Sequence, residues 1–260
     1  MTDADALALI RLDVAISYDL TASGRIAGGA AAPFGPRRDS PPLKRSAGAR
    51  LHFAGCAGGN LAWLRHDVGD ETAARVMDLA ATAQPWTDPD APPACLDEMA
   101  ALLAAEAPVD IDGPEIMFRL PNGPRYDHGA VLVHSDTPQG DDLIARLQRD
   151  GLPKSLIHAG FVALDDFWWP WCVALEGEAI AAMAFTPHLR AAGAEIGVFT
   201  FPAFRGRGYA AAVTAGWASH PSLEDRTLIY GTRLANRSSR QVAARLGLEV
   251  ASARVRINDR

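Results

Sequence analysis

The chain has 260 residues, 31 of them acidic and 25 basic, with a formal net charge of −6 at pH 7 and an apolar fraction of 48%. This length and composition fit one large or two small globular domains, and the acidic balance argues against a broad nucleic-acid-binding surface. No apolar run approaches the roughly 20 residues of a membrane span, and the first residues carry acids where a secretion signal carries lysine or arginine, so we expect a soluble cytoplasmic protein without membrane or nucleic-acid partners.

Neither the cysteines nor the histidines follow a metal-ligand pattern. Cys56, Cys95 and Cys172 are odd in number and widely spaced, which is typical of reduced thiols in the cytosol. The seven histidines show no ligand spacing either. The sequence therefore predicts a protein that holds no metal.

The N-terminal region opens with an apolar segment of uncertain type at residues 1–22, followed by a loop rich in glycine, proline and alanine at residues 23–50. Such a composition favours a long surface loop. Because it has a single acid, Asp39, the loop is also interpreted as an arm that contacts an anionic ligand or partner. Its basic residues are Arg25, Arg37, Arg38, Lys44, Arg45 and Arg50.

From residue 61 the pattern becomes that of a folded α/β region. Alternating apolar residues predict strands, and apolar residues at helical spacing predict helices separated by the proline-rich break DPDAPP. We place a boundary between a region at 1–135 and a second domain at 136–260, which opens with a helix that stops at Gly151. The first region holds a strand at 61–67, helices at 71–83 and 96–107, and strands at 115–121 and 130–135 around the turn PNGPRYDHG.

The C-terminal third alternates strands and helices around an arginine–glycine loop. Residues 171–185 contain two apolar runs joined by Glu-Gly, which predicts a β-hairpin. A strand at 194–201 then ends at Pro202, and a helix with one apolar face begins at Tyr209. A further strand at 226–232 precedes a helix that is expected to be N-capped by Asn236 and to stop at Gly247.

The loop Arg205-Gly206-Arg207-Gly208 lies where a strand is followed by a helix N-terminus. Unpaired amide groups and the helix dipole make that position suitable for phosphate oxygens, and glycines let the main chain approach a ligand. A P-loop is excluded because the chain has no Gly-Lys-Ser/Thr tripeptide. Gly206 to Ala211 also fits the weak GxGxxA pattern of a dinucleotide-binding unit, but the acids that could bind a ribose precede the next strand instead of ending it.

Two motifs in this region resemble one family. Arg205-Gly206-Arg207-Gly208-Tyr209-Ala210 resembles the (Gln/Arg)-x-x-Gly-x-(Gly/Ala) loop of the GCN5-related N-acetyltransferases (GNAT), and Thr200-Phe201-Pro202 resembles its approach. Residues 236–248 look like the second signature, Asn-x-x-Ser followed by a helix that ends in Leu-Gly-Phe. The resemblance covers about residues 168–250. It implies the GNAT fold, an α/β (α+β) mixed twisted sheet with splayed parallel strands flanked by helices, here with an N-terminal α/β extension.

The resemblance also implies a cofactor and the residues that bind it. Acetyl-CoA would lie between the splayed strands at 195–201 and 226–232, with its pantetheine paired to the first strand and its diphosphate held by amides of the loop. The strand residues are Val198, Phe199, Thr200 and Phe201; the loop residues are Arg205, Gly206, Arg207, Gly208, Tyr209 and Ala210; the second motif adds Asn236 and Ser239.

For catalysis, the resemblance points to Glu195 as the base that deprotonates the amine. The tyrosine that usually acts as the acid in the family has no counterpart, because Ala243 stands at that position. Tyr230 is the nearest substitute. Ser239, water and loss of the thiolate without an acid are the alternatives. The cluster of acids and aromatic residues at 165–171 is interpreted either as packing or as the mouth of an amine pocket.

Two functions follow as alternatives. The first is an acetyl-CoA-dependent N-acetyltransferase that transfers the acetyl group by direct attack of a primary amine, from a small molecule or a protein. The second is a non-catalytic acyl-CoA-binding or regulatory module, which the missing helix tyrosine favours. No motif identifies the amine or the oligomeric state.

Overall fold

The structure is a computed structural model that describes residues 1–30 and 46–260. Of the basic residues in the predicted loop, Arg37, Arg38, Lys44 and Arg45 lie outside the described residues. The other two pair with acids of the same chain: Nη2 of Arg25 lies 2.9 Å from Oδ1 of Asp70, and Nη2 of Arg50 lies 2.6 Å from Oε2 of Glu106.

From residue 61 onward the described residues form the predicted helices and strands in the predicted order, with a short helix at residues 154–158 and a last strand at residues 250–259 in addition. The helices are α1 (Asp3–Ser17), α2 (Asp70–Thr82), α3 (Cys95–Ala104), α4 (Pro138–Asp150), α5 (Lys154–His158), α6 (Tyr209–Ala218) and α7 (Arg237–Arg245). The strands are β1 (Tyr18–Leu20), β2 (Ile26–Gly29), β3 (Leu51–Cys56), β4 (Gly59–Leu64), β5 (Val109–Leu120), β6 (Val131–His134), β7 (Cys172–Glu176), β8 (Ala179–Leu189), β9 (Gly193–Thr200), β10 (Thr227–Arg233) and β11 (Val250–Asp259).

A nine-stranded mixed sheet organises the described residues, in the order β4-β3-β11-β5-β10-β9-β8-β7-β6. Among the neighbours in this sheet of described residues, β9 and β10 alone pair in parallel; the others pair antiparallel. Apolar side chains pack α1 against one face and α6 with α7 against the other. The predicted fold class, a mixed sheet flanked by helices, is confirmed.

The parallel pair separates at its carboxyl end. The last paired residues are Ile196 of β9 and Tyr230 of β10. Beyond them β9 continues to Thr200 in contact with β8, whereas β10 continues to Arg233 in contact with β5. The divergence opens a gap between two adjacent strands, at the position that the sequence predicts for splayed strands.

Helix α6 packs against the sheet near this gap, and it is apolar on nearly all sides. Its residues from Tyr209 to Ala218 are nearly all buried, and Val213 and Trp217 pack fully into the core between the helix and the sheet. A helix that is hydrophobic all round is held by tertiary packing. Its N-terminus is thereby fixed beside the carboxyl end of β9.

The two strands predicted around PNGPRYDHG exist as β5 and β6, but they do not pair with each other. Strand β5 lies between β11 and β10, whereas β6 lies at the far edge beside β7. The connection at 121–130 crosses the sheet instead of turning back, held by Asn122 Nδ2, which donates to the carbonyl of Leu223 at 2.8 Å. The boundary at residue 135 stays a prediction; the sheet itself joins strands from both predicted regions.

Candidate functional site

A cavity of about 480 Å³ lies at the gap between β9 and β10, with the start of α6 and one side of α7 as its walls. Among the described residues, two arginines line it and no carboxylate does, so its charge suits an anion. Its lining residues are Val198, Phe199, Thr200, Phe204, Arg205, Gly206, Gly208, Tyr209, Ala210, Tyr230, Asn236, Ser238, Ser239, Gln241, Val242 and Arg245.

The N-terminus of α6 supplies free amide groups to this cavity. Gly208 is the N-cap with φ +88° and makes no side-chain cap, and the first turn contains no acidic side chain. The amides of Tyr209, Ala210 and Ala211 have no acceptor within the helix, since the first donors of any helix lack one. Together with the helix dipole these donors favour an anion at the cavity wall.

The two arginines of the loop have different surroundings. Arg205 lines the cavity, and its Nε donates to the carbonyl oxygen of Thr200 at 3.3 Å. The side chain of Arg207 points away from the cavity: its Nη2 lies 2.5 Å from Oε2 of Glu176, which also accepts a hydrogen bond from the Tyr209 hydroxyl. These two hydrogen bonds lower the pKa of Glu176. Arg207 therefore ties the loop to the β7–β8 turn.

The free edge of β9 presents main-chain groups to the gap. The amide of Phe201 donates to Ala181 of β8 at 3.0 Å, so alternation along the extended chain turns the polar groups of Val198 and Thr200 away from β8. The Oγ1 atom of Thr200 is buried and has no hydrogen-bond partner among the described residues. Of the four predicted strand residues, Phe201 alone does not line the cavity.

On the opposite wall, Asn236 and Ser239 lie at the start of α7, which Asn236 caps. The side chain of Asn236 accepts a hydrogen bond from the Ser239 amide at 3.1 Å, as the sequence predicts for an N-cap. The Tyr230 hydroxyl lies 2.6 Å from Oγ of Ser239. Burial raises the pKa of Tyr230, against a smaller lowering by Ser239. Tyr230 therefore keeps its proton at neutral pH while lining the cavity.

Glu195 lies on the other face of the sheet and does not line the cavity. Its carboxylate belongs to a buried ion cluster centred on Arg254: Nη2 of Arg254 lies 2.7 Å from Oε1 of Glu195, and Nε lies 2.8 Å from Oε2 of Glu115. Nη1 of Arg254 donates to Asp13 of α1. The second oxygen of Glu195, Oε2, is 3.8 Å from Nε2 of His188 and so is beyond hydrogen-bond distance.

The aromatic cluster at 165–171 mainly packs the core. Phe167, Trp169 and Trp171 are buried, and Trp168 is half-buried with its ring 5.3 Å from that of Phe185. The carboxylate of Asp166 accepts hydrogen bonds from two backbone amides of its own turn. Of the two interpretations of this cluster, the geometry favours packing.

Three residues of α7 that line the cavity were not predicted from the sequence. Ser238, Gln241 and Arg245 line the cavity at spacings of three and four residues, which is one stripe of a helix. The sequence carries this signal as polar residues at positions 238, 241 and 245 of the predicted helix. Arg245 is exposed, and no hydrogen bond or ion pair joins its side chain to the described residues.

Three further features bear on the predictions. No cluster of three potential metal ligands occurs in the described part of the chain. The cysteines there are free thiols. None of the helices at residues 1–30 and 46–260 combines the length and apolar character of a membrane span.

Several solved structures are similar to this chain. A GNAT-family acetyltransferase from Colwellia psychrerythraea is 13% identical, with 77% of this chain aligned to 76% of that chain at a TM-score of 0.42. A GCN5-related N-acetyltransferase from Kribbella flavida is 15% identical over 61% of this chain and 63% of that one, at a TM-score of 0.41. A GNAT-family chain from Novosphingobium aromaticivorans is 20% identical over 59% and 70%, at 0.39. No protein-family model and no curated protein matches.

Proposed function

We propose that the protein is an N-acetyltransferase that uses acetyl-CoA and transfers its acetyl group to a primary amine. One observation carries the proposal: a cavity with two arginines and no carboxylate lies where β9 and β10 diverge, at the free N-terminus of α6. Coenzyme A has the matching shape and charge, with a diphosphate for the helix terminus and an amide-bearing arm for the free strand edge.

The groups of the cavity divide between the two parts of this ligand. The amides from Gly206 to Ala210 would bind the diphosphate, because a helix N-terminus stabilises negative charge. The main-chain groups of Val198 and Thr200 would pair with the pantetheine amides as a neighbouring strand does. Phe199 and Phe201 contribute through side-chain packing alone, since their main chain is directed to β8.

In this proposal the thioester lies at the start of the gap, next to the last paired residues of β9 and β10. A free amide of β9 would donate to the thioester oxygen as it gains negative charge. Glu195 is the proposed base, and its Oε2 is the atom that accepts the amine proton because Oε1 is held by Arg254. Tyr230 is the proposed acid for the departing thiolate.

The alternative is an acyl-CoA-binding module without turnover. It is favoured by Ala243, which is buried at the position where the family carries a tyrosine. Release of free CoA in the presence of a panel of primary amines separates the two functions. Binding of acetyl-CoA with no amine-dependent thiol release would support the module.

Calorimetry with CoA and with pantetheine, which lacks the diphosphate together with the 3′-phosphorylated adenosine, tests the site itself. We expect CoA to bind at least about tenfold more tightly than pantetheine, because charge-assisted hydrogen bonds are the strongest ones available there. Gly208→Ala should remove most of this difference, since a Cβ at φ +88° would lie 2.8 Å from the His128 ring. Gly177→Ala is the matched control: it places the same change at φ +58° in open space, outside the cavity. Absence of heat with CoA would remove the proposal.

A further inference from the structure

The connection between β5 and β6 lies against the loop that is proposed to bind the diphosphate. Nε2 of His128 is 2.5 Å from the carbonyl oxygen of Arg207. The centroid of the His128 ring lies 4.7 Å from that of Tyr209 and 6.2 Å from that of Tyr126, with an angle of 17° between the rings of His128 and Tyr126. His128 itself does not line the cavity.

The direction of the hydrogen bond fixes the tautomer. A carbonyl oxygen can only accept, so Nε2 of His128 carries the proton and donates it. The Nδ1 atom is buried and has no hydrogen-bond partner among residues 1–30 and 46–260.

The same bond determines where the next amide points. The peptide unit that joins Arg207 to Gly208 is planar and trans, so its C=O and N–H groups point in opposite directions. With the carbonyl directed at His128, the Gly208 amide is directed to the other side of the loop. Gly208 lines the cavity, so that amide is available to an anion within it.

Glycine is required for this approach. A Cβ on Gly208 would lie 2.8 Å from Cδ2 of His128 and 2.9 Å from the hydroxyl oxygen of Tyr126. Both distances are shorter than side-chain contacts allow. His128 can therefore lie this close to the loop only because residue 208 has no side chain.

We propose that His128 is a positioning residue for the diphosphate: it holds the Arg207–Gly208 peptide so that the Gly208 amide faces the anion of a bound nucleotide thioester. This inference rests on the proposed function. It adds that the anion site is completed by a residue from outside the C-terminal third, through a hydrogen bond to the main chain that does not touch the ligand.

The test compares His128→Leu, which removes the donor, with His128→Gln, whose amide can still donate, in the full chain. We expect His128→Leu to weaken CoA about tenfold, the effect typical of losing a well-placed donor, and to change the affinity for pantetheine less than twofold. His128→Gln should recover most of the loss. His66→Leu is the matched control, because His66 is also a loop histidine and is exposed.

Steady-state kinetics give a second measurement, which separates a positioning role from a purely structural one. The KM for acetyl-CoA should rise in His128→Leu while kcat/KM for acetyl-pantetheine stays unchanged. Equal losses for both ligands, or no loss for either, would overturn the positioning role while leaving CoA binding by the unmodified protein intact. Failure of the unmodified protein to bind CoA would instead overturn the proposed function and this inference with it.

Discussion

Glu195 and Tyr230 lie one residue apart in the pairing register of β9 and β10, and they face opposite sides of the sheet. Glu195 pairs with Ile229, whose side chain packs towards α1, whereas Tyr230 pairs with Ile196 and packs towards α6 and α7. The gap begins immediately beyond both residues. A proton acceptor on one face and a proton donor on the other would therefore flank a thioester that passes between the strands.

Replacing Glu195 with Gln should lower kcat about 10²-fold, the lower limit usual for general acid–base catalysis, with the Kd for CoA unchanged. His188→Gln is the neighbouring control, because it leaves the carboxylate and its bond to Arg254 in place and should cost much less. The measurement is kcat across pH with a reactive amine, together with calorimetry. Equal kcat in Glu195→Gln and the parent chain would exclude this base.

Tyr230→Phe should also lower kcat without weakening CoA, since the hydroxyl is the only group lost from the cavity wall. Because burial raises the pKa of Tyr230, the parent chain should show no loss of the acid form between pH 7 and 9. Ser239→Ala keeps the phenol and removes its nearest partner, and we expect it to retain most activity. A Tyr230→Phe chain with full turnover would show that the thiolate leaves without an acid.

The local structure of the half of the site proposed to bind phosphate could be predicted from sequence because its signals are local. Glycines at 206 and 208 mark positive φ values, Asn236 marks a helix start, and Gly247 ends α7 with φ +66°. Each of these features depends on neighbours within a few residues. The loop, the helix and the next strand were therefore placed within one or two residues of their observed bounds.

The rest of the site depends on contacts between distant segments. Strand β11 was not predicted, although apolar residues at 251, 253, 255 and 257 alternate with polar ones; the ion pairs of its Arg254, with α1, β5 and β9, join distant segments. His128 meets Arg207 across 79 positions of the chain. Neither contact leaves a periodic signal, so the environment of Glu195 and the support of the loop appear only in the folded chain.

The buried cluster around Arg254 should dominate stability. Burial alone would raise the pKa of Asp13, but the charge of Arg254 and the ring of His52, whose Nε2 lies 3.3 Å from Oδ2 of Asp13, outweigh it and lower the pKa. Breaking a buried pair costs about 3–5 kcal/mol, so Arg254→Met should strongly lower the free energy of unfolding. Should this variant not fold, Asp13→Asn tests the same cluster with less disruption.

The pH dependence of Asp13→Asn has a definite sign. A lowered pKa in the folded state stabilises the protein above the unfolded-state pKa, near 3.8, and this contribution is lost as the pH falls below it. The difference in unfolding free energy between the parent chain and Asp13→Asn should therefore be largest at pH 7 and shrink below about pH 4. Urea denaturation at a series of pH values measures it; a difference that does not change with pH would contradict the assignment.

Arg245 should contribute to affinity through the second anionic group of coenzyme A. Its guanidinium lines the cavity from the last turn of α7 and has no partner among the described residues. The loop amides are proposed to bind the diphosphate, so the ribose 3′-phosphate is the charge left for Arg245. We expect Arg245→Gln to weaken CoA about three- to tenfold, the range for one partly exposed charge-assisted contact.

Dephospho-CoA, which lacks the 3′-phosphate, makes the assignment specific. Its affinity should be the same in the parent chain and in Arg245→Gln, and the effect on CoA should decrease with added salt because the contact is partly exposed. Arg237→Gln is the matched control on the same helix, since Arg237 is exposed and does not line the cavity. Equal weakening of both nucleotides by Arg245→Gln would place that guanidinium at the diphosphate instead.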